Sequence, residues 1–302
     1  MLPFFIFAKK PSMGQIKSFL SLVKFSHTIF AMPFAMIGFF IGVNEYGLDR
    51  INVKLLGLVV LCMVTARNAA MAFNRWADQE IDKKNPRTST REIPSGIISQ
   101  TSALWFVIIN VVLFFISAYF INPLCFYLSP IAILIVLGYS YTKRFSWICH
   151  LILGVGLSLA PIGACLAVTA HFSLVTFLYG VAVITWVAGF DILYALQDVE
   201  FDKKESLHSI PVKFGMSKSL TISMGLHVLC AICIVICSYL LWHQFQLRGF
   251  MLGGSMSFLT LLYYQHTIVS ERDLSKLNLA FFTTNGFASL ILALGIIIDF
   301  YW

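Results

Sequence analysis

The sequence predicts an all-α integral membrane protein, built as a bundle of about nine transmembrane helices. Of its 302 residues, 59% are hydrophobic and only 12% are charged, and the mean hydropathy is +0.84. Water-soluble domains carry about 25% charged residues, so this composition is typical of a chain that folds in a lipid bilayer. The apolar segments lack the period-2 alternation of outer-membrane β-barrel strands, which favours helices.

Each predicted helix is an apolar stretch close to the ~20 residues that cross the hydrocarbon core of a bilayer. In chain order the stretches are 26–44, 53–74, 102–121, 123–142, 147–169, 173–195, 220–242, 249–269 and 277–300. We interpret residues 1–302 as a single membrane-embedded domain. At the N-terminus an apolar run precedes Lys9 and Lys10, the reverse of the order in a secretory signal peptide, so we expect no cleavage there.

The positions of Lys and Arg predict the orientation. If the N-terminus is cytoplasmic, nearly all of the 21 basic residues lie on the cytoplasmic side; the exceptions are Arg50, Lys54, Arg248 and the intramembrane Arg67. Cytoplasmic loops carry such an excess of positive charge. We therefore expect a multi-pass protein of the cell inner (cytoplasmic) membrane with a cytoplasmic N-terminus. Topology explains the formal charge of +7, and we expect no nucleic-acid partner.

Most of the 14 acidic residues lie in two patches, which follow the second and the sixth predicted spans. The patches contain Asn74, Asp78 and Asp82 in the first, and Asp191, Asp198 and Asp202 in the second. On a helix, each spacing places the three side chains in one row. Four spans separate the patches, so both are predicted to face the cytoplasm.

Rows of carboxylates repel one another and need a compensating cation. Oxygen ligands with few histidines nearby suit Mg²⁺, which takes one or two carboxylates and completes its coordination with waters and phosphate oxygens. The rows therefore predict a metal-bridged phosphate ligand. Two alternatives stay open at this point: the acids pair with Lys83, Lys84, Lys203 and Lys204 in solvated loops, or the chain is a secondary transporter with intramembrane acids.

Three segments resemble the UbiA superfamily of intramembrane prenyltransferases. Residues 74–96 (NRWADQEIDKKNPRTSTREIPSG) resemble its first aspartate-rich motif, residues 191–202 (DILYALQDVEFD) its second, and residues 139–144 (YSYTKR) its Tyr-x-x-x-Lys-Arg signature. Many members have Asn-Asp where this chain has Asn74-Arg75. That form, with residues 24–34 (KFSHTIFAMPF), resembles the 4-hydroxybenzoate polyprenyltransferase-like branch.

The resemblance implies Mg²⁺-dependent transfer of a polyprenyl group from polyprenyl diphosphate to the ring of a small aromatic acid, in respiratory quinone biosynthesis. The first acceptor it suggests is 4-hydroxybenzoate, and 1,4-dihydroxy-6-naphthoate, a precursor of menaquinone, is the alternative. The active site would face the cytoplasm, and membrane lipid would surround the prenyl tail. A haem-farnesylating relative would share the metal chemistry.

The resemblance also implies roles for individual residues. Asn74, Asp78 and Asp82 would bind one Mg²⁺, Asp198 and Asp202 a second, and Arg75, Lys143 and Arg144 the diphosphate. Asp191 would orient the acceptor hydroxyl or face the allylic cation, and Lys143 would assist departure of the diphosphate. Arg67 would hold the substrate carboxylate, unless it forms a buried pair with Asp191. Tyr139 and Tyr194 would line the reaction site.

Overall fold

The computed structural model describes residues 13–23, 31–47, 51–247, 249–271 and 273–302. In these segments the protein is helical and has no β-strand. The helices are α1 (Met13–Leu22), α2 (Met32–Glu45), α3 (Val53–Ala77), α4 (Gln79–Lys84), α5 (Gln100–Ile121), α6 (Pro123–Thr142), α7 (Cys149–Thr169), α8 (Leu174–Ala195), α9 (Val199–Lys204), α10 (Ile210–Phe245), α11 (Gly249–Ile268) and α12 (Asn285–Tyr301). A 3-10 turn, Leu196–Asp198, follows α8, and a π-helical segment, Leu279–Thr284, precedes α12.

The predicted all-α membrane fold is confirmed. Within the described ranges, seven helical segments are long and apolar enough to cross a membrane. The shorter α2, with 14 residues, and α11 account for the other two predicted spans. The first part of the predicted span 26–44, together with residues 24–30 of the family-like segment, lies outside the described residues.

The surface of the bundle is strongly apolar. Tyr127 is 74% exposed, Leu134 72% and Met256 69%, and other large apolar side chains of α5, α6, α10 and α11 are exposed in the same way. Contiguous apolar surface of this kind has to be covered by another apolar phase. A multi-pass membrane protein, covered by lipid, satisfies that requirement.

Polar side chains cap several helices where the chain enters them. Asn52, Asn122 and Ser209 accept hydrogen bonds from backbone N–H groups in the first turns of α3, α6 and α10. The first four N–H groups of a helix have no partner within the helix, so a capping side chain stabilises each start by about 1 kcal/mol. Pro residues in the first turns of α6 and α10 suit positions where no N–H donor is needed.

Small residues allow the central helices to pack closely. A Cβ atom added at Gly38 of α2 would lie 2.0 Å from the Pro161 carbonyl oxygen of α7, and one added at Gly154 of α7 would lie 2.6 Å from the Ile184 carbonyl oxygen of α8. Backbones this close leave room only for glycine, as is common between membrane helices. Helix α8 is the most buried of the spans and contributes Tyr179 and Trp186 to the main core.

Both aspartate motifs lie at a break between a long helix and a short one. Asp78 (φ −95°, ψ 9°) separates α3 from α4, and Asp198 (φ −104°, ψ 3°) separates the 3-10 turn from α9. The prediction of one uninterrupted helical row in each motif is therefore wrong. Each short helix contains a second aspartate four residues after the first, Asp82 in α4 and Asp202 in α9. Both of these aspartates line the same cavity.

Candidate active site

The two aspartate motifs meet across one cavity of about 110 Å³. A single water molecule needs only about 10–15 Å³, so the space admits a larger polar group. Its charged lining consists of Asp78, Asp82, Arg87, Arg91, Lys143, Arg144, Asp198 and Asp202. Four acidic and four basic side chains therefore surround the cavity.

The first motif contributes a mutually bonded pair and a buried acid. The Asn74 side-chain amide donates to Asp78 Oδ2 at 3.2 Å, and the Asp78 backbone N–H donates to the Asn74 carbonyl at 2.9 Å. Asp82 lies in the first turn of α4 and is only 6% exposed. An acid in a first turn is favoured because it faces the partial positive charge of the helix N-terminus.

Each of the four carboxylates is paired with its own cation. Arg144 lies 3.1 Å from Asp78, Arg91 2.8 Å from Asp82, Arg87 2.6 Å from Asp198 and Lys143 2.8 Å from Asp202. Two of the four lysines that follow the motifs pair with glutamates instead, Lys84 with Glu205 and Lys203 with Glu200. The negative charge of the four aspartates is thus neutralised by Arg87 and Arg91 of the loop after α4 and by Lys143 and Arg144 at the end of α6.

The loop after α4 is held over the second motif. Arg87 donates from Nε to Asp198 Oδ1 at 3.0 Å and from Nη2 to Oδ2, a bidentate arrangement that favours a fixed geometry. Its Nη1 donates to the Tyr194 hydroxyl at 3.3 Å. Asn85 donates to Asp198 Oδ1 at 3.4 Å. These contacts join residues that are more than 100 positions apart and close one side of the cavity.

Burial and pairing oppose each other in the cavity. Burial raises the pKa of the Asp78 carboxyl, and the Arg144 guanidinium acts against that shift. For Arg87, burial alone would lower the pKa, but the hydrogen bonding to Asp198 together with the negative charges of Asp198 and Asp82 raises it. Because burial disfavours an isolated charge, both groups depend on a neighbour of opposite sign.

The donor set fits a hard divalent cation. Asp202 is 1% exposed, and its Oδ1 lies 2.8 Å from the Lys143 ammonium. A buried carboxylate needs a cation as partner, which Lys143 provides in this structure and a bound divalent metal would provide in its place. The described residues contain no group of three His, Cys, Asp or Glu side chains arranged to hold a metal; Mg²⁺ is commonly held by one or two carboxylates.

Asp191 lies outside the cavity lining, on α8. Its Oδ2 is 2.7 Å from Nδ1 of His150, which is 3% exposed. The alternative of a buried Arg67–Asp191 pair is thus not what forms, and Arg67 Nη1 donates to the Val23 carbonyl at 2.9 Å. Tyr139 lies in the last turn of α6 and is not among the residues that line the cavity.

Two further predicted residues lie at the edge of this region. The Tyr194 ring packs against Phe281 with ring centres 4.2 Å apart and a tilt of 32°. The Arg87 guanidinium lies over the same ring, 5.5 Å from its centre. Arg75 is 4% exposed and its guanidinium lies 3.5 Å from Glu92. It follows Asn74 by one position and so turns away from the motif by about 100° on the helix. The structure does not bring Arg75 to the cavity.

Sequence reasoning missed three residues of this region. Arg87 and Arg91 lie within the first aspartate-rich segment, but no role was predicted for them. Their spacing of four, matching that of Asp78 and Asp82, was the available signal. No role was predicted for His150 either, and no sequence pattern links it to Asp191.

Comparison with known proteins identifies the family. Residues 31–291 match the UbiA prenyltransferase family. A 4-hydroxybenzoate octaprenyltransferase from Vesicomyosocius okutanii subsp. Calyptogena okutanii is 28% identical over 249 residues, which are 82% of this chain and 89% of that protein. The protein of the same name from Saccharophagus degradans is 28% identical over 245 residues, 81% of this chain and 80% of that protein.

Solved structures agree with this assignment. The apo structure of a UbiA homolog from Aeropyrum pernix K1 superposes with a TM-score of 0.80 at 28% identity, covering 90% of this chain and 98% of that one. A UbiA homolog from Archaeoglobus fulgidus bound to DMAPP and Mg²⁺ has the same fold, with a TM-score of 0.71 at 20% identity over 94% of this chain and 99% of that one. The chain belongs to the UbiA prenyltransferase family, as its motifs predict.

Proposed function

We propose that this protein transfers a polyprenyl group from polyprenyl diphosphate to the ring of a small aromatic acid, with 4-hydroxybenzoate as the acceptor. The observation that carries the proposal is the single cavity lined by acids of both motifs and by four basic side chains. An anion held through divalent cations needs carboxylates for the metal and cations for its remaining oxygens. Acids that only pair with lysines in solvated loops would need neither a shared cavity nor basic side chains from a second helix.

The carboxylates are the proposed metal site. Asn74, Asp78 and Asp82 would hold one Mg²⁺, and Asp198 and Asp202 the other. Bound there, Mg²⁺ would stabilise the negative charge that grows on the leaving diphosphate. The Archaeoglobus fulgidus homolog was solved with DMAPP and Mg²⁺, which supports Mg²⁺ as the metal, and the position of both aspartate pairs in one cavity supports the choice of ligands.

The basic side chains are the proposed diphosphate site. Lys143 and Arg144 lie at the end of α6, opposite Arg87 and Arg91 of the loop after α4. Released from their aspartates, these groups would donate charge-assisted hydrogen bonds to phosphate oxygens. Donors fixed in advance where charge develops give the largest electrostatic gain in a transition state. The buried Arg75 would support the site through Glu92 without touching the diphosphate.

The acceptor would lie between Arg67 and Asp191, next to Tyr139. Arg67 would bind the acceptor carboxylate and Asp191 would accept a hydrogen bond from its ring hydroxyl. Tyr139 and Tyr194 would present aromatic faces to the allylic cation and limit its contact with water. The prenyl tail, which is as apolar as lipid, would extend into the membrane between helices.

Two finer features belong to the proposal. The excess of Lys and Arg on one side supports an active site that faces the cytoplasm, in the inner membrane. The names of the curated relatives favour 4-hydroxybenzoate over 1,4-dihydroxy-6-naphthoate as the acceptor, and hence ubiquinone over menaquinone biosynthesis.

The test supplies purified protein in lipid nanodiscs with Mg²⁺, a polyprenyl diphosphate and one of the two aromatic acids, and identifies the product by mass. We expect prenylated 4-hydroxybenzoate, and no product with excess chelator. Product from dihydroxynaphthoate alone would overturn the acceptor assignment. No product from either acid, or full activity with chelator, would overturn the proposed function itself.

A further inference from the structure

His150 joins three helices directly behind Asp191. It lies in the first turn of α7 and is 3% exposed. Its Nδ1 is 2.7 Å from Asp191 Oδ2 on α8, and its Nε2 accepts a hydrogen bond from the Ile210 backbone N–H at the start of α10, at 3.4 Å. Neither contact belongs to the metal or diphosphate residues described above.

The two contacts together fix which ring nitrogen carries the proton. In a neutral imidazole one nitrogen donates and the other accepts. The Ile210 backbone N–H can only donate a hydrogen bond, so Nε2 is the acceptor and Nδ1 carries the hydrogen. A carboxylate is the natural partner for that hydrogen, and the short Nδ1···Oδ2 distance agrees with a charge-assisted bond.

The two oxygens of the Asp191 carboxylate have different environments. Oδ2 is bound to His150, whereas Oδ1 accepts no hydrogen bond from any residue that the structure describes. The Asp191 side chain is 24% exposed, in contrast to the 3% of its partner. His150 therefore holds the carboxylate from the buried side and leaves one oxygen open on the other.

We infer that His150 is a positioning residue that aims Asp191 Oδ1 at the ring hydroxyl of the aromatic acceptor. This inference rests on the proposed function, because it assigns Asp191 a hydroxyl-bearing substrate. His150 touches neither the substrate nor the metal. It acts by restricting rotation of the carboxylate and by supplying a donor that keeps it in the correct orientation, as the partners behind metal-bound or catalytic side chains do.

Two substitutions separate positioning from a purely structural role. His150→Asn keeps an N–H donor at the same number of bonds from Cα as Nδ1, and His150→Phe keeps a planar ring without any donor. We expect His150→Phe to lower kcat about 100-fold, the usual cost of a misplaced catalytic group. The KM for polyprenyl diphosphate and the affinity for Mn²⁺ should stay within about twofold. His150→Asn should recover kcat to within about fivefold of the wild type.

A double-mutant cycle adds a readout that loss of structure would not produce. In an Asp191→Asn background, His150→Phe should cause no further loss of kcat, because the group that it positions is already changed. Thermal unfolding of each variant provides the folding control, and His150→Asn alone decides the question if His150→Phe does not fold. Product formation below a tenth of wild type in a folded His150→Asn, or additive losses in the cycle, would overturn the inference. A wild-type protein that makes no product would overturn the proposed function, and this inference with it.

Discussion

Replacing Arg91 with glutamine should tighten binding of a divalent cation to the proposed metal site when no diphosphate is bound. Arg91 Nη1 lies 2.8 and 2.9 Å from the two oxygens of Asp82, so a metal ion that uses this carboxylate has to displace the guanidinium. Hydrogen bonds between charged groups contribute about 1.5–3 kcal/mol, which corresponds to about a 10- to 150-fold change in affinity. Glutamine retains a neutral donor, so we expect a gain of about tenfold.

The assay is a titration of purified protein with Mn²⁺, in which the signal of free Mn²⁺ is followed by electron paramagnetic resonance without any diphosphate present. A second titration measures the affinity for inorganic diphosphate at saturating Mg²⁺. Here Arg91→Gln should bind about tenfold more weakly, because a charged donor to the phosphate is lost. The two affinities should therefore change in opposite directions.

Lys84→Gln is the matched control. It removes one positive charge from the last residue of α4, directly before the loop that holds Arg91, but Lys84 is 61% exposed and pairs with Glu205, which is not a proposed ligand. An exposed pair contributes little, so both affinities should stay within about twofold of wild type. Unchanged or weaker Mn²⁺ binding by Arg91→Gln would refute the competition between cation and metal for Asp82.

Asp78→Asn and Asp198→Asn should each abolish product formation while the protein stays folded, as judged by a cooperative thermal unfolding transition; full turnover by either one would remove it from the metal site. Asp299→Ala should lower the free energy of unfolding by about 1 kcal/mol, because Asp299 accepts hydrogen bonds from two N–H groups in the first turn of α11, and Asp299→Asn should lower it less. Gly38→Ala should cost about 1–3 kcal/mol, since its Cβ would meet a backbone carbonyl 2.0 Å away, whereas Gly163→Ala, with open space around it, should be tolerated. Fluorescence-detected unfolding in detergent measures both pairs, and equal stabilities within a pair would contradict its explanation.

The features that could be predicted are those set by the local sequence, such as the length and hydropathy of each helix. Apolar stretches long enough to span a bilayer located the seven spanning segments of the described residues, together with α2 and α11, because length and hydropathy decide that outcome almost alone. The two acidic patches were correctly placed at one cavity, since an even number of spans returns the chain to the same side. The breaks at Asp78 and Asp198 were not foreseen, because aspartate spacing of four is compatible with a continuous helix.

The contacts that complete the site depend on tertiary structure. Arg87 reaches Asp198 across 111 positions, and His150 reaches Asp191 across 41. Nothing in the local sequence favours these partners over the adjacent lysines, which were the expected alternative. A lysine beside an exposed helix end is solvated at little cost. The Arg87 guanidinium, by contrast, gains two hydrogen bonds at once when it reaches the buried carboxylate of Asp198.

The balance of charge in the cavity explains why its two proposed ligands should depend on each other. Four acids and four bases line the cavity, so it offers no net charge to attract either a cation or an anion alone. A divalent metal would have to displace the bases, and a diphosphate would have to compete with the acids for them. When both bind, the displaced basic side chains would bond to phosphate oxygens and the carboxylates would bind metal. Each ligand would therefore lower the free-energy cost of binding the other. Such coupling is reciprocal, so diphosphate should raise the affinity for metal by the factor by which metal raises the affinity for diphosphate.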